Sequence, residues 1–340
     1  MLNQIYEKAE RSGQPLSVHF ELTRRCNLKC RHCYVVGAEG GGEMSGGQVV
    51  AALEKLARAG VLFLTFTGGE PLARDDFFEI AERARELNYS VRVFTNGTLI
   101  DRAAADRLAA LNLFEVGVSV YGVREETHEA ITGVAGSFRK TMASLRLLSE
   151  RGVRLALKTV IMKPNFGEYG GLIELAGKFG ARYVFDPTVF PRDDGDKAPL
   201  ALRLDDGQLE TTLKDKRFYP RGEGEVERAA PGAPAVCRGP VCNLSFISLG
   251  VSPEGDVYPC IQLKRPVGNI NSDSMDLINT QYCINVPNIT TVLADTCYNC
   301  KLRDNCTRCP GLAELEDGDI NGKSEWACRI ARIREKANRE

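Results

Sequence analysis

Apolar and polar residues alternate along the first half of the chain in a pattern that predicts six strands separated by helices. Short apolar runs predict strands, and apolar residues three and four positions apart predict amphipathic helices. The predicted strands cover residues 16–22, 61–66, 90–94, 114–120, 153–162 and 181–185. The predicted helices cover residues 45–60, 75–87, 101–111, 138–151 and 169–179, the first with Ser45 as its N-cap. A further short helix is predicted over residues 205–214.

This alternation predicts an α/β fold with a parallel sheet and right-handed crossovers. Six strand–helix units favour a partial (β/α)6 TIM-like barrel, and an open doubly wound sheet is the alternative. In both folds the loops after the strands meet on one face. Residues suited to chemistry follow each predicted strand, so we expect an active site on that face: a run of cysteines, Thr67–Pro71, Thr95–Gly97, Ser119–Gly122, Lys163–Asn165 and Asp186–Pro187.

Composition and charge narrow the class of protein. The chain has 340 residues, of which 43% are hydrophobic and 26% are charged, with a net charge of -1. These values are ordinary for a globular protein and give no reason to expect binding to nucleic acid or to a membrane. Residues 1–14 lack the apolar segment of a signal peptide, so we expect a cytoplasmic location. In that reducing compartment, twelve cysteines indicate metal rather than disulfides.

The first three cysteines form a C-x3-C-x2-C run, Cys26, Cys30 and Cys33. Thiolates are ligands of iron–sulfur clusters and of zinc. Three cysteines ligate only three irons of a four-iron cluster, so the fourth iron stays open to a substrate or cofactor. A structural zinc loop or plain buried thiols are the alternatives.

This run resembles the signature of the radical S-adenosylmethionine (SAM) enzymes, C-x3-C-x-Φ-C, with His32 at the aromatic position. The resemblance implies that the open iron chelates SAM. It also implies that an electron, supplied by a donor such as flavodoxin or ferredoxin, cleaves SAM to a 5′-deoxyadenosyl radical. That radical takes a hydrogen atom from the substrate.

A second motif supports the resemblance. Gly68, Gly69, Glu70 and Pro71 match the family's GGEP segment, which implies that they bind the amino group of SAM. Four further positions resemble the family's SAM surround: Ser119 for ribose or carboxylate, Ile161 for adenine, and Asn96 and Lys158 nearby. The resemblance covers about residues 16–190.

Nine further cysteines lie in the last third of the chain, and a pair of zinc knuckles is one interpretation of their spacing. Between the second and third of them, residues 253–256, which include Gly255, predict the turn of a hairpin between residues 246–248 and 257–258. Their layout resembles the SPASM extension of radical SAM peptide-modifying enzymes, which binds two auxiliary iron–sulfur clusters. The resemblance assigns Cys237, Cys242, Cys260 and Cys309 to one cluster. It assigns Cys297, Cys300, Cys306 and Cys328 to the other, and leaves Cys283 over as a buried thiol. The chain departs from the family pattern by having two residues, not three, between Cys306 and Cys309.

Composition shifts divide the chain into three predicted segments. Residues 1–190 form the radical SAM partial barrel, and residues 191–236 form a linker rich in turn residues. Residues 237–340 form the SPASM domain with a C-terminal helix.

The resemblance also bears on the substrate. Sulfatase-maturating members of the group carry a basic aspartate where this chain has Ile261, so sulfatase maturation is disfavoured. Residues 309–319 resemble the closing part of pyrroloquinoline-quinone-type maturases, which implies modification of a precursor peptide by cross-linking, epimerisation or side-chain oxidation. A small-molecule substrate such as a haem precursor is the alternative, and an electron-transfer protein is a third. Asp186, Glu70 and Tyr121 are candidate bases.

Many such maturases carry an N-terminal peptide-recognition domain. Only about fifteen residues precede the first predicted strand here, fewer than a domain needs. We therefore expect a separate small protein to hold the leader of the precursor peptide.

Overall fold

A computed structural model of the chain describes residues 9, 14–35, 42–215, 217, 248–291, 297 and 299–339. Its strands form one sheet. They are β1 Ser17–Thr23, β2 Phe63–Gly68, β3 Ser90–Thr95, β4 Glu115–Ser119, β5 Leu155–Val160, β6 Arg182–Asp186, β7 Ser248–Val251, β8 Asp256–Tyr258 and β9 Gly268–Asn269. Their order in the sheet is β6-β5-β4-β3-β2-β1-β7-β8-β9.

The first six strands are all parallel, and each pairs with the next strand along the chain. A doubly wound sheet would reverse its strand order at a switch point, and this one never does. With right-handed crossovers, a sequential order places the connecting helices on the same face of the sheet. The partial (β/α)6 barrel is therefore confirmed, and the doubly wound alternative is wrong.

The helices agree with the predicted ones to within two residues wherever a helix was predicted. They are α1 Gly46–Arg58, α2 Phe77–Glu86, α3 Arg102–Ala110, α4 Glu125–Thr132, α5 Ser137–Glu150, α6 Tyr169–Lys178, α7 Asp206–Lys214, α8 Met275–Thr291, α9 Pro310–Asp317 and α10 Glu325–Arg339. Ser45 caps α1 as predicted and forms a capping box with Gln48. The sequence analysis missed α4, α8 and α9. Of these, α8 contains Pro287, which normally ends a helix.

One face of the barrel sheet carries the main hydrophobic core. Side chains alternate between the two faces of a strand, and in β1 Val18, Phe20 and Leu22 are fully buried in this core. Equivalent residues of β2 to β5 and the apolar stripes of the crossover helices complete it. The other face of each strand is thereby left for the barrel interior.

The barrel interior is charged. Glu115 on β4 is 7% exposed and accepts hydrogen bonds from Arg92 Nε at 3.1 Å and from Arg182 Nη2 at 3.0 Å. Arg182 lies on β6, two strands away, so this carboxylate links three strands across the closed end of the barrel. The pairing satisfies charges that would be costly to bury alone.

Above this network, Gly117 makes room for a stacked pair. A Cβ at Gly117 would lie 2.8 Å from the Phe94 ring and 2.9 Å from Lys158 Cδ. The stem of Lys158 crosses the glycine, and its Nζ lies 3.0 Å from the centroid of the Phe94 ring. Burial and the nearby Arg92 lower the pKa of Lys158 to about 7.

The last third of the chain continues the same sheet. β7 pairs with β1 in parallel, and β7 and β8 form the hairpin predicted around Gly255, with Gly255 at φ +93°. The first two residues of that predicted hairpin, 246 and 247, lie outside the described residues. Whether the segment boundaries at 190 and 236 are domain boundaries stays a prediction. Within the described part of the chain, no helix is both long and apolar enough to span a bilayer.

The lowered pKa of Lys158 predicts a pH-dependent stability. Between about pH 7 and the ordinary lysine pKa of 10.5, the folded protein binds fewer protons here than the unfolded chain. The free energy of unfolding should therefore rise with pH in this window, by at most about 1.4 kcal/mol per pH unit from this group. Lys158→Met should flatten that rise, as measured by urea denaturation at pH 7, 8 and 9.

Lys178 is the matched control because it lies exposed at the end of α6. Lys178→Met should keep the wild-type pH dependence. The contrary result would be a free energy of unfolding that changes with pH in the same way for Lys158→Met and wild type. Lys158 would then be protonated in the folded protein, and its side chain would not be buried in the barrel interior.

Candidate active site

The three cysteines of the first run lie in the loop that follows β1. Cys33 N donates to Cys30 O at 3.1 Å, which folds the loop back on itself. Burial raises the pKa of the Cys30 thiol, and Cys33 and Cys26 raise it further. The three cysteines of this loop are the kind of ligand that an iron–sulfur cluster requires.

Helix α4 anchors this loop. Lys29 N donates to Thr132 O and Arg31 N donates to Ile131 O, each at 2.9 Å, at the last two residues of α4. A Cβ at Gly133 would lie 2.8 Å from Lys29 O, so the glycine after the helix lets the loop approach. Because α4 was not predicted from the sequence, these contacts between the helix and the cysteine loop were not predicted either.

The GGEP segment packs directly against the end of β1. A Cβ at Gly68, which has φ +125°, would lie 2.4 Å from Thr23 O. A Cβ at Gly69 would lie 2.3 Å from Arg25 O. Gly69 N donates to Thr23 O at 2.7 Å, and Glu70 N donates to Arg25 O at 2.8 Å. Only glycine fits this close backbone approach, whatever ligand the segment also binds.

Glu70 connects two of the strand-end loops. Its buried carboxylate accepts hydrogen bonds from Thr95 Oγ1 at 2.7 Å, Asn96 N at 2.7 Å and Leu72 N at 3.2 Å. Burial raises its pKa to about 7. Pro71 is buried and begins a short 3-10 turn that Glu70 caps. The observed contacts of the Glu70 carboxylate are thus within the protein, and they fix the loop after β3.

Asn96, in that loop, lies beside the cysteines. Its Nδ2 is 3.8 Å from Cys26 Sγ and donates to Asn27 Oδ1 at 3.0 Å. Its Oδ1 accepts hydrogen bonds from the backbone N and the hydroxyl of Thr98 at 2.8 and 2.6 Å. The amide is therefore oriented from both sides.

The remaining predicted SAM residues lie on β4 and just after β5. Ser119 pairs with Lys158 across the sheet, and the ring centroid of Tyr121, two residues later, is 4.6 Å from that of His32. Ile161 is fully buried in the cluster that includes Trp326, and its backbone N donates to Asp186 O at 2.9 Å. Of the three candidate bases, Tyr121 and Glu70 are buried, and Asp186 ends β6.

The hairpin of the last third also contacts the end of β1. Glu254, in the turn between β7 and β8, accepts hydrogen bonds from Arg24 Nε at 2.7 Å and Arg24 Nη2 at 2.9 Å. Met44 N donates to Pro253 O at 2.7 Å, and Glu43 Oε1 accepts from Arg24 N at 2.8 Å. Two residues before Cys26, the chain is thus held by a carboxylate 230 residues away.

A second ion pair joins the same two regions. Lys264 Nζ lies 2.7 Å from Glu21 Oε2 and 3.8 Å from Asp193 Oδ2. Asp193 N in turn donates to Tyr34 O at 2.9 Å, just beyond Cys33. Burial raises the pKa of Asp193 to about 6. Sequence reasoning found none of these residues because lone charged residues carry no motif.

The auxiliary cysteines are described in part. Burial raises the pKa of the Cys306 thiol, and the other three members of its predicted ligand set, Cys328, Cys297 and Cys300, raise it further. Of the other predicted set, Cys260 lies in the turn after β8, and Cys309 Sγ accepts from Leu312 N at the start of α9. Cys237 and Cys242 lie outside the described residues, as does the side chain of Cys283.

Within the described residues, no group of three or more His, Cys, Asp or Glu side chains is arranged to hold a metal ion, and this applies to the first three cysteines as well as to the auxiliary ones. None of the nine described cysteines is in a disulfide. Arg308, which stands between Cys306 and Cys309 in the sequence, is 3% exposed, and its Nη1 has no hydrogen-bond partner among the described residues. A buried cation beside thiolates fits an anionic cluster.

Two family models match the chain. Residues 20–176 match the radical SAM superfamily, and residues 242–310 match the SPASM iron–sulfur cluster-binding domain. The first match covers the barrel with its cysteine loop and GGEP segment. The second covers the hairpin and the cysteines up to Cys309.

Three curated relatives illustrate the range of the similarity. The pre-heme d1 synthase of Dinoroseobacter shibae is 37% identical over 53% of this chain, which spans 46% of that relative. The AdoMet-dependent heme synthase of Methanosarcina barkeri is 27% identical over 91% of this chain and 95% of its own length. The mycofactocin maturase MftC of Mycobacterium ulcerans is 30% identical over 76% of this chain and 72% of its own length.

Solved structures show the same fold. Those of Streptococcus suis SuiB bound to SAM and to the precursor peptide SuiA each cover 96% of this chain with a TM-score of 0.72. They are 17% and 16% identical and are covered over 81% and 78% of their own chains. With the motif loops in place and a maturase relative aligned over most of its length, the chain belongs to the radical SAM superfamily and carries a SPASM iron–sulfur cluster-binding domain.

Proposed function

We propose that the chain cleaves SAM reductively and abstracts a hydrogen atom from a precursor peptide, which leads to a post-translational modification. The arrangement of the cysteine loop carries this proposal. Three cysteines stand in the one loop after β1, Asn96 Nδ2 lies 3.8 Å from the first of them, and the GGEP backbone lies against the strand end that leads into the loop. This site offers three ligands to a four-iron cluster and leaves one iron for SAM.

Each predicted residue has a place in this proposal. Cys26, Cys30 and Cys33 hold the catalytic cluster, which when bound with SAM supplies one-electron reductive cleavage. Gly68, Gly69, Glu70 and Pro71 shape the loop beside it. Asn96, Ser119, Lys158 and Ile161 surround SAM along the ends of β3, β4 and β5.

The auxiliary domain supplies the second part of the proposal. Cys297, Cys300, Cys306 and Cys328 hold one auxiliary cluster, and Cys237, Cys242, Cys260 and Cys309 hold the other. The effect of the other three thiols on the pKa of Cys306 supports the first set. The barrel ends near residue 190, and the SPASM domain begins near residue 237. Reductive cleavage of SAM needs a low-potential electron donor, for which we propose a cytoplasmic flavodoxin or ferredoxin.

The peptide substrate rests on the relatives. MftC is named as a maturase, and SuiB was solved with a precursor peptide. The junction between the barrel mouth and the SPASM hairpin, near Glu21, Asp193 and Lys264, is where we place the peptide. Domain junctions are common ligand sites. A separate small protein would hold the leader peptide.

A haem precursor is the second candidate substrate. Its support is the alignment with the AdoMet-dependent heme synthase over almost the full length of both chains. The barrel interior gives a chemical reason for such a substrate. Lys158 makes no salt bridge within the described residues, so a substrate carboxylate could pair with it. Both candidates use the same catalytic loop.

The first prediction concerns the catalytic cluster. Reconstituted wild-type protein should hold three clusters, and Cys26→Ala/Cys30→Ala/Cys33→Ala should hold two. The variant should form no 5′-deoxyadenosine because only this cluster leaves an iron open to SAM. Iron and sulfide analysis and chromatography of the SAM products measure both effects.

Cys283→Ser serves as the control, since Cys283 belongs to neither predicted ligand set. It should keep full iron content and turnover. Formation of 5′-deoxyadenosine by the triple variant would show that the catalytic cluster lies elsewhere. Loss of one cluster's iron from Cys283→Ser would show that the auxiliary ligand sets are wrong.

The second prediction concerns delivery of the peptide. With the recognition protein present, the precursor peptide should be modified. Removing its leader, or omitting the recognition protein, should sharply lower modification of the peptide. Cleavage of SAM that is not coupled to this modification should persist. Anaerobic reactions read by mass spectrometry measure the modified peptide and 5′-deoxyadenosine together.

Three results would count against this arrangement. Efficient modification of a leaderless peptide by this chain alone would remove the need for a recognition protein. Decarboxylation of an iron porphyrin carrying propionates, with no change in any peptide, would favour the haem-precursor substrate. SAM cleavage that neither substrate class stimulates would leave both candidates unsupported.

A further inference from the structure

Arg308 is a buried arginine whose contacts within the protein leave one donor group unused. Its Nε donates to Gly322 O at 2.5 Å, and its Nη2 donates to Ile320 O. Its Nη1 is buried and has no hydrogen-bond partner. The residue is only 3% exposed, so bulk solvent does not reach this group.

A guanidinium in this position needs a compensating negative charge. Burying a cation without one is costly, and an unsatisfied buried N–H adds to the cost. No carboxylate lies within 4.0 Å of Arg308 in the described part of the chain, whereas the buried Arg74 there pairs with Asp76 at 2.8 Å. Burial lowers the pKa of Arg308, and the thiols of Cys297, Cys309 and Cys306, followed by Asp319, raise it.

The two carbonyl contacts fix the direction of the side chain. Ile320 and Gly322 lie in the turn between α9 and α10, and they engage one edge of the guanidinium through Nε and Nη2. The planar group is rigid, so the remaining nitrogen, Nη1, is held in place too. Arg308 itself stands in the shortened gap between Cys306 and Cys309, where this chain departs from the family pattern.

We propose that Arg308 is a positioning residue that sets the reduction potential of the auxiliary cluster held by Cys297, Cys300, Cys306 and Cys328, with Nη1 as a donor to its sulfur ligands. This inference rests on the ligand set given under Proposed function. Hydrogen bonds and net charge near a cluster set its potential. A cation beside the cluster stabilises the reduced form, which carries one more negative charge, and so raises the potential.

The test is a redox titration of the reconstituted full chain, monitored by electron paramagnetic resonance. Arg308→Met removes the charge and the donor. One auxiliary cluster should then be about tenfold harder to reduce, which corresponds to a potential about 59 mV lower for a one-electron couple. The other clusters should keep their potentials, and iron content should stay at three clusters. Arg308→Lys keeps the charge, so its shift should be smaller.

Arg265→Met is the matched control. Arg265 is exposed and pairs with Glu314 at 2.5 Å within the same part of the chain. It should leave all the potentials unchanged. Full iron in Arg308→Met with wild-type potentials would overturn the proposal.

If the Arg308→Met protein does not hold the iron of three clusters, the iron content and the cluster potentials of Arg308→Lys test the proposal instead. Full iron with a lowered potential in one auxiliary cluster supports the proposal. Full iron at the wild-type potential, or loss of iron, overturns it and leaves Arg308 with a structural role only. Cys306→Ala separates this result from the proposed ligand set, because an unchanged iron content there would refute the ligand set itself.

Discussion

The backbone at the end of β1, residues 23–25, is the constraint on which the candidate active site depends. Gly68 and Gly69 pack against its carbonyls from one side, at distances that exclude any Cβ. Glu43 and Glu254 hold Arg24 from the other side. Cys26 follows at once, so the position of the first thiol is set by two neighbours that lie far apart in the sequence.

Charged residues in the barrel differ in their partners. At the start of β4, the buried Glu115 pairs with Arg92 and Arg182, whose side chains are 31% and 60% exposed. Lys158 forms no salt bridge with a described residue, its Nζ lies over the Phe94 ring, and burial lowers its pKa to about 7, although Asp186 and Glu115 act in the opposite direction. A lysine without a carboxylate in contact can pair with an anionic group of a ligand.

The sequence predicted the parts of the fold that depend on local patterns. Apolar periodicity located all six barrel strands, and a capping residue located the start of α1 at Ser45. The cysteine and GGEP spacings located the loops that meet. Helix α4 was not predicted because it is only eight residues long, and α8 was not predicted because Pro287 interrupts its sequence pattern. Both errors come from weak local signals overridden by tertiary packing.

Contacts between distant charges could not be predicted, and they change how some predicted residues are interpreted. Arg24 and Glu254 each look like ordinary surface charges until β7 pairs with β1 and brings them together. That Glu70 binds the amino group of SAM together with Gly68 and Gly69 stays a prediction. In the structure its carboxylate accepts hydrogen bonds from Thr95, Asn96 and Leu72. A motif residue can therefore act on a ligand through the loop that it holds.

The pairing of β7 with β1 explains why the two halves of the protein cannot be treated as independent. β1 leads into the cysteine loop, and β7 leads through the Glu254 turn to Cys260. Because the two strands are neighbours in one sheet and Glu254 pairs with Arg24, hydrogen bonds join the hairpin directly to the end of β1. Lys264 adds a second connection, from the hairpin side to Glu21 on β1 and to Asp193 beside Tyr34. The loop that carries the first three cysteines and the turn that carries Cys260 are thus joined through β1 by strand pairing and by ion pairs.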